Sequence, residues 1–391
     1  MEETTRARIT TTETYSFDKR DPVARFLRDV MKLDWFKLWV VAILVYGPIE
    51  KLLIPYVGGY LHLGGGMAKW APHVEALLTG FVEFPFFLGY YLWSGQGIAN
   101  LFLRLDRNRI FADKGRYQSF MQQVEKALNH RGWPVLSVAL ALVAMALMNF
   151  VVWGPSTVVP PWFGDRAGHR MLSLAFIGFV AYAAAQSLIR EILAVAWLRR
   201  LWSQMSDNVV VHPYHADGAG GLGAIGLHAV ILFCFVVMLL LFVFMGSVLP
   251  SLSGTGPGAP TSGLSIQFWH PIILAIWIAY IILVPIMFFL LIWPPHQAMR
   301  KVRDDRLNNI SKLLERCIDD AMGYVMVLPQ DVDALLADVV KEFKTLKDLH
   351  TVILKDSPVW PISARVQRLF GLTPVLPTVY SLLSVVVDLL R

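Results

Sequence analysis

The strongest constraint on this chain is that its apolar residues are gathered into blocks of about twenty, the length a helix needs to cross a hydrocarbon core. Only 16% of its 391 residues are charged and 55% are hydrophobic, whereas soluble domains carry about 25% charged residues. The sequence therefore predicts an all-α fold, a polytopic membrane helix bundle with about six transmembrane helices. The predicted spans are 38–56, 76–93, 134–153, 171–189, 229–249 and 271–293.

The distribution of Lys and Arg between these spans predicts the orientation of the bundle. Alternate connecting segments hold 31 basic residues on one side and 3 on the other, and Lys51 lies inside a span. Cytoplasmic loops retain positive charge, so both termini are predicted to be cytoplasmic in a multi-pass protein of the cell membrane.

The spans divide the chain into regions of different character. Residues 1–22 contain few large apolar side chains and are predicted to form a disordered tail. Residues 23–293 form the predicted transmembrane domain, with cytoplasmic loops at 94–133 and 190–228. Apolar residues recur at helical spacing over 23–31, which predicts a short helix on a membrane surface, and again over 117–128.

The region 294–391 is predicted to be cytoplasmic and helical. Leu307, Ile310, Leu314, Cys317 and Ala321 repeat at spacings of three and four residues, and the same rhythm returns after Pro329. Each run is short, which favours a helical hairpin over a long oligomeric coiled coil. The apolar stretch 372–390 contains prolines and an aspartate, which favours a helix at the inner leaflet over a seventh span.

Cysteine count and net charge exclude several classes of protein. Cys234 and Cys317 are the only cysteines, so no disulfide framework is predicted. The net charge of +6 comes from basic residues that flank apolar blocks, which indicates contact with anionic lipid headgroups and argues against nucleic acid. Membrane lipids are the expected partners, and the sequence leaves open a homo-oligomer and a cytoplasmic protein partner.

The segment 212–223 is the most unusual string and allows three interpretations. In the structural one, Asp217 caps the following helix and the glycines allow close packing. In the second, the helix N-terminus binds an anion such as a phosphate or a lipid headgroup. In the third, His212, His215 and Asp217 bind a metal; no cofactor is otherwise predicted. The glycines of this loop site are Gly218, Gly220, Gly221 and Gly223.

The same string carries a resemblance to a group of known sequences. His212, Pro213 and the run from Asp217 to Gly223 resemble a loop found in bacterial polytopic membrane proteins that have no assigned activity. The resemblance extends to Tyr91, Leu92 and Trp93 and to 358–361. It implies a shared architecture in a bacterial inner membrane and transfers no function. The Asp-Gly opening is also similar to lipid-headgroup transferases of the CDP-alcohol type, but their downstream metal-binding aspartates are absent from this sequence.

Charged residues inside the apolar blocks predict an intramembrane polar site. Glu50, Lys51 and Glu83 lie within or beside the first two spans, and Pro48 and Pro85 stand two residues from the glutamates. Buried carboxylates in a membrane face a bundle interior or a cavity and often mark an ion path. The alternative is that Lys51 neutralises one glutamate in a purely structural role.

Arg190 and Glu191 follow the fourth span and are interpreted as boundary residues whose long side chains reach the headgroups. Three functions remain open. The first is a channel-like or transporter-like protein that uses Glu50 and Glu83. The second is a membrane scaffold or sensor that acts through its cytoplasmic helices. The third is an inner-leaflet enzyme for a lipid or isoprenoid phosphate that uses the 212–223 loop, so enzymatic activity is left undecided.

Overall fold

The computed structural model describes residues 17–49, 79–153, 167–212, 215–247, 263–325, 332–357 and 359–361. Within these ranges the chain is helical and contains no strand, apart from a single antiparallel bridge between Phe111 and Val209. The all-α prediction is confirmed.

The N-terminal helices begin at side-chain caps and continue into π-helical turns. Asp21 accepts hydrogen bonds from the backbone of Val23 and Ala24 at the start of α1, and Asp34 accepts one from Lys37 at the start of α2. The elements are α1 (Pro22–Arg25) with a π-helical continuation (Phe26–Val30), α2 (Trp35–Val41) with a π-helical continuation (Ala42–Tyr46), and a third π-helical turn (Thr79–Glu83) that leads into α3 (Phe84–Arg107).

The remaining described elements are α4 (Lys114–Leu128), α5 (Gly132–Trp153), α6 (Ala167–Met205) with a short 3₁₀ turn (Ser206–Asn208), α7 (Gly223–Ser247), α8 (Gly263–Val325) and α9 (Val332–Asp356). Helix α8 differs from the prediction, because it runs without a break from the sixth predicted span into the first helix of the predicted hairpin. Pro294 and Pro295 remove two N–H donors there, but the φ angle of proline is compatible with a helix, so the helix continues.

The chain forms two compact units. Unit 1 comprises 1–103, 118–197 and 231–288, and unit 2 comprises 104–117, 198–230 and 289–391. Unit 2 therefore collects parts of both predicted cytoplasmic loops together with the region after 289, whereas the sequence placed the boundary at residue 294.

Helix α5 of unit 1 exposes large apolar side chains and buries small ones. On α5, Ser137 and Ala141 are buried one turn apart, and the Ser137 hydroxyl donates a hydrogen bond of 2.6 Å to the Gln186 side chain of α6. The exposed side chains of the same helix are Val135, Leu136, Val138, Leu140, Leu142 and Val143. Small residues at the packing face are typical of helices that associate in lipid.

Unit 2 shows the opposite arrangement on its C-terminal helices. Ile310 and Cys317 of α8 are buried, and so is Ile353 of α9, whereas the positions between them are mostly exposed. Burial raises the pKa of the Cys317 thiol, and the nearby charge of Glu342 raises it further, which places α9 beside α8. The predicted apolar stripe over 307–321 is therefore the shielded face of α8.

One helical segment in the described part of the chain, Leu174–Asn208, is long and apolar enough to cross a membrane. Trp35–Tyr46 and Gly223–Leu239 are shorter apolar helices.

The predicted disordered tail is wrong at its C-terminal end. Phe17, Asp18 and Asp21 are almost completely buried, because Asp21 binds side chains of α3 and α6. Residues 1–16 lie outside the described residues, and so does the stretch 372–390. The predicted amphipathic helix over 117–128 is confirmed as α4, whose apolar side chains are all buried: Tyr117, Phe120, Met121, Val124 and Leu128.

Candidate functional site

A pair of adjacent charged residues lies inside α6 in unit 1. Arg190 is 1% exposed and Glu191 is 0% exposed. The interpretation of both as boundary residues is therefore wrong: helix α6 continues to Met205, so these side chains face other helices instead of a headgroup layer. A buried charge is expensive unless it is paired or hydrogen-bonded. Arg190 is paired with Asp21, and Glu191 accepts a hydrogen bond from Tyr90.

Arg190 is held by groups from α3 and from the N-terminal segment. Its Nη2 donates a hydrogen bond of 2.7 Å to Oδ2 of Asp21, and its Nη1 donates one of 3.0 Å to the backbone carbonyl of Tyr91. The guanidinium carbon also lies 5.1 Å from the centre of the Tyr91 ring, within reach of a cation–π interaction.

Asp21 collects donors from three different parts of unit 1. The Tyr91 hydroxyl donates to Oδ2 at 2.6 Å, and the Tyr182 hydroxyl donates to Oδ1 at 2.9 Å. The backbone N–H groups of Val23 and Ala24 also donate to Oδ1, because Asp21 is the N-cap of α1. We call Asp21, Tyr91, Tyr182 and Arg190 the buried network; it ties the N-terminal segment to α3 and α6.

Glu191 has its own tyrosine partner. The Tyr90 hydroxyl donates a hydrogen bond of 2.8 Å to Oε1 of Glu191. The Tyr90 ring stacks on Phe235 of α7, with 4.1 Å between ring centres and 10° between ring planes. Two adjacent tyrosines of α3 thus bind two adjacent charged residues of α6.

Glu83 lies at the end of a π-helical turn, with a side chain that is 0% exposed. This turn contacts the π-helical continuation of α2, Ala42–Tyr46. Tyr46 packs against Phe84 at 5.3 Å between ring centres, and a Cβ on Gly47 would come within 2.7 Å of the Phe81 ring. π-Helical turns open the regular hydrogen-bond ladder and frequently occur at functional sites. Glu50 and Lys51, the predicted companions of Glu83, lie outside the described residues.

The loop before α7, in unit 2, is organised around Asp217. Its carboxylate accepts hydrogen bonds from the backbone N–H groups of Ala219, Gly221 and Gly223, at 2.9, 3.0 and 2.9 Å. Burial favours a raised pKa for Asp217, but these three N–H groups outweigh it and the pKa is lowered. His215 adds a contact of 3.0 Å between Nδ1 and Oδ1 of Asp217.

The glycines of this loop permit its conformation and its close packing. Gly218, Gly220 and Gly221 all have positive φ angles, which strain other residues. A Cβ on Gly220 would come within 2.7 Å of Val211, and one on Gly221 within 2.8 Å of Ile110. The loop is further fixed by hydrogen bonds from His212 N to Gly220 O and from Asn108 Nδ2 to Gly221 O.

This geometry bears on each interpretation of the 212–223 string. The capping interpretation matches the hydrogen bond that Asp217 accepts from Gly223, the first residue of α7, whereas Ala219 and Gly221 belong to the loop. An external anion at the N-terminus of α7 would compete with the Asp217 carboxylate for the N–H group of Gly223. Among the described residues there is no group of three or more His, Cys, Asp or Glu side chains placed to hold a metal ion. His212, His215 and Asp217 do not form such a group.

Sequence reasoning missed Asp21, Tyr91, Tyr182 and Arg190 as one site. Two signals were visible: a charged pair at 190–191 inside a long apolar helix, and a tyrosine pair at 90–91 inside another. Neither signal shows which residues meet. No protein family, curated protein or solved structure matches this chain.

Proposed function

We propose that this chain is a polytopic integral membrane protein that conducts or transports a small cation, including the proton, with Glu83 in its intramembrane polar site. The observation that carries the proposal is the fully buried carboxylate of Glu83, next to two contacting π-helical turns in a unit whose helix α5 exposes apolar side chains. A charge at the centre of a bilayer costs about 2.5–3.5 kcal/mol or more, so membrane proteins keep one where it serves function.

The outer surface of unit 1 supports a membrane location. The exposed valines and leucines of α5 continue over more than two helical turns, and Leu142 is 58% exposed. Soluble monomers rarely expose apolar patches of such extent. With the clustered basic residues in the segments between the predicted spans, this surface supports six spans and cytoplasmic termini.

The chemistry of the site favours a cation. Glu83 and Glu191 are both buried carboxylates in unit 1, and a carboxylate attracts cations or takes up a proton. The π-helical turns leave backbone carbonyl groups outside the regular ladder, and such carbonyls line ion sites in transporters. Glu50, in the predicted first span, would add a second carboxylate to the same path.

Flux measurements on the full chain in lipid vesicles test this function. We expect Glu83→Gln, which keeps the shape and removes the charge, to reduce proton or monovalent cation flux about tenfold, equivalent to about 1.4 kcal/mol. The matched control is Glu315→Gln, because Glu315 is exposed on α8 in unit 2. If vesicles with the Glu50→Gln and Glu83→Gln double variant conduct like the unmodified protein, the proposal is overturned.

A specific observation favours a membrane scaffold as the second candidate function. The C-terminal helices of unit 2 expose Ile318 and Met322 on α8 and Val340 and Val352 on α9. Exposed apolar side chains on an otherwise charged helical surface indicate a protein partner or a second copy of the chain. Cross-linking of the intact protein in its native membrane distinguishes the two functions, since a scaffold would be captured with a partner in stoichiometric amount.

A further inference from the structure

The N-terminal segment of unit 1 carries an apolar face that the described residues of the unit do not cover. Ala24 and Leu27 of this segment are buried against the unit. Phe26, Val30 and Met31 lie on the opposite face and are exposed, with Val30 at 68%. The segment therefore has two apolar faces. One packs inward, and the other points away from the protein.

Aromatic residues extend this exposed face into α2. Trp35, Phe36 and Trp39 are all exposed, and their rings pack in sequence with 5.7 and 5.9 Å between ring centres. Tryptophan is enriched at the interface between hydrocarbon and headgroups, because its ring combines an apolar body with a polar N–H. This cluster has the composition of a membrane-interface anchor.

The exposed charges around this face are predominantly basic. The acidic residues Asp18 and Asp21 are buried and are paired with Arg28 and Arg190. Asp29 and Asp34 remain outside and are outnumbered by basic side chains. The basic side chains on the outside are Lys19, Arg20, Arg25, Lys32 and Lys37, of which Lys19 is paired with Glu125 and Lys37 with Asp34.

We infer that residues 22–39 form a binding surface for the anionic headgroups of the cytoplasmic leaflet, with Phe26, Val30 and Met31 inserted below the headgroups and Arg25 and Lys32 bound to their phosphates. A helix with apolar side chains on one face and basic ones at its edges binds such a surface through both contributions. The inference rests on the membrane location proposed above and adds the class of lipid.

The buried network connects this surface to the interior of unit 1. Asp21 caps α1 and at the same time binds Arg190 of α6 and Tyr91 of α3. The start of the lipid-binding segment is therefore attached to the interior of unit 1 by a charged side chain as well as by its backbone. A segment attached only by its backbone would lack this link.

Depth measurements on the full chain in vesicles test the inference. A spin label is placed at Val30→Cys in a background in which Cys234 and Cys317 are replaced by serine. Relaxation by oxygen, which concentrates in hydrocarbon, is compared with relaxation by a water-soluble nickel complex. We expect oxygen to dominate at position 30, and the label to become deeper when phosphatidylglycerol is added to phosphatidylcholine vesicles. Arg25→Glu with Lys32→Glu should abolish that deepening.

A charge-reversal control on α8 and a second label position on α5 distinguish the possible outcomes. Lys312→Glu with Arg316→Glu, on exposed positions of α8, should keep the response to phosphatidylglycerol. A label at Leu142→Cys reports on the bundle itself: if it lies in water, the proposed membrane function fails as well. If Leu142→Cys lies in lipid and Val30→Cys lies in water, only the headgroup surface is overturned. A label at position 30 that is deep but indifferent to phosphatidylglycerol overturns the anionic specificity.

Discussion

Helices α5 of unit 1 and α9 of unit 2 have similar lengths but opposite surfaces. The buried positions of α5 include Ser137 and Ala141, and its exposed positions are mostly valine and leucine. Among the side chains of α9 that the structure describes, Ile353 is buried, and many exposed positions carry lysine, aspartate or glutamate. The two helices differ in the side chains that they expose, as expected if lipid surrounds α5, as proposed, and water surrounds α9.

The polar interiors differ in the same way. In unit 1, Asp21 and Arg190 are buried charged side chains that come from distant parts of the sequence and form an ion pair with each other. Unit 2 satisfies Asp217 with backbone N–H groups from the next few residues. Side-chain pairs between helices are strong when the surroundings exclude water. Removal of one member, however, leaves the other buried without its partner, which destabilises the folded state. The comparison thus predicts a larger loss of stability from changes in the buried network than from changes in the Asp217 loop.

The largest expected effect is that of Arg190→Ala. The substitution leaves the Asp21 carboxylate buried without its cation, so the free energy of unfolding should fall by about 3–5 kcal/mol. Thermal unfolding of the purified protein measures it. Arg316→Ala, at an exposed position of α8, should change stability by no more than about 0.5 kcal/mol. Adding Asp21→Asn to Arg190→Ala should recover part of the loss. Equal melting temperatures for the two arginine variants would show that the network contributes nothing.

The next effect concerns the two outer surfaces directly. Leu142 of α5 and Val340 of α9 are almost equally exposed, at 58% and 57%. Arginine at position 142 should cost about 2.5–3.5 kcal/mol if lipid surrounds α5, whereas arginine at 340 should stay within about 0.5 kcal/mol. The measurement is the fraction of each full-length variant that resists alkaline extraction from membranes, together with its melting temperature. An equal response at both positions would mean that α5 faces water.

The features predicted from the sequence are those set by local patterns. The stripe over 307–321, the apolar face of α4 and the capping aspartate at 217 all depend on residues within a few turns of one another. The buried network does not: Asp21 and Arg190 are separated by 169 positions, and no periodicity links them. A charged pair next to a predicted span end also has two meanings, headgroup contact or burial, and only the continuation of α6 to Met205 distinguishes them.

The smallest expected effect is the pH dependence of the Asp217 loop. Three backbone N–H groups lower the pKa of Asp217 below its usual value of 3.8, so its charged form stabilises the folded state. This contribution is fully present above pH 3.8 and is lost as the pH falls through the lower pKa of the folded protein. At neutral pH, Asp217→Asn should cost about 1 kcal/mol, as for the loss of a helix cap.

The melting temperature of the unmodified protein and of Asp217→Asn is measured from neutral pH to below the pKa of Asp217. The difference between the two should be constant down to about pH 4 and should shrink below it, because the carboxyl then becomes neutral in both states. Asp305→Asn on α8, an exposed position, serves as the matched control and should run parallel to the unmodified protein near neutral pH. If Asp217→Asn has no effect at neutral pH, the loop is held by its glycines and by Asn108, and its backbone N–H groups can be satisfied without a charge.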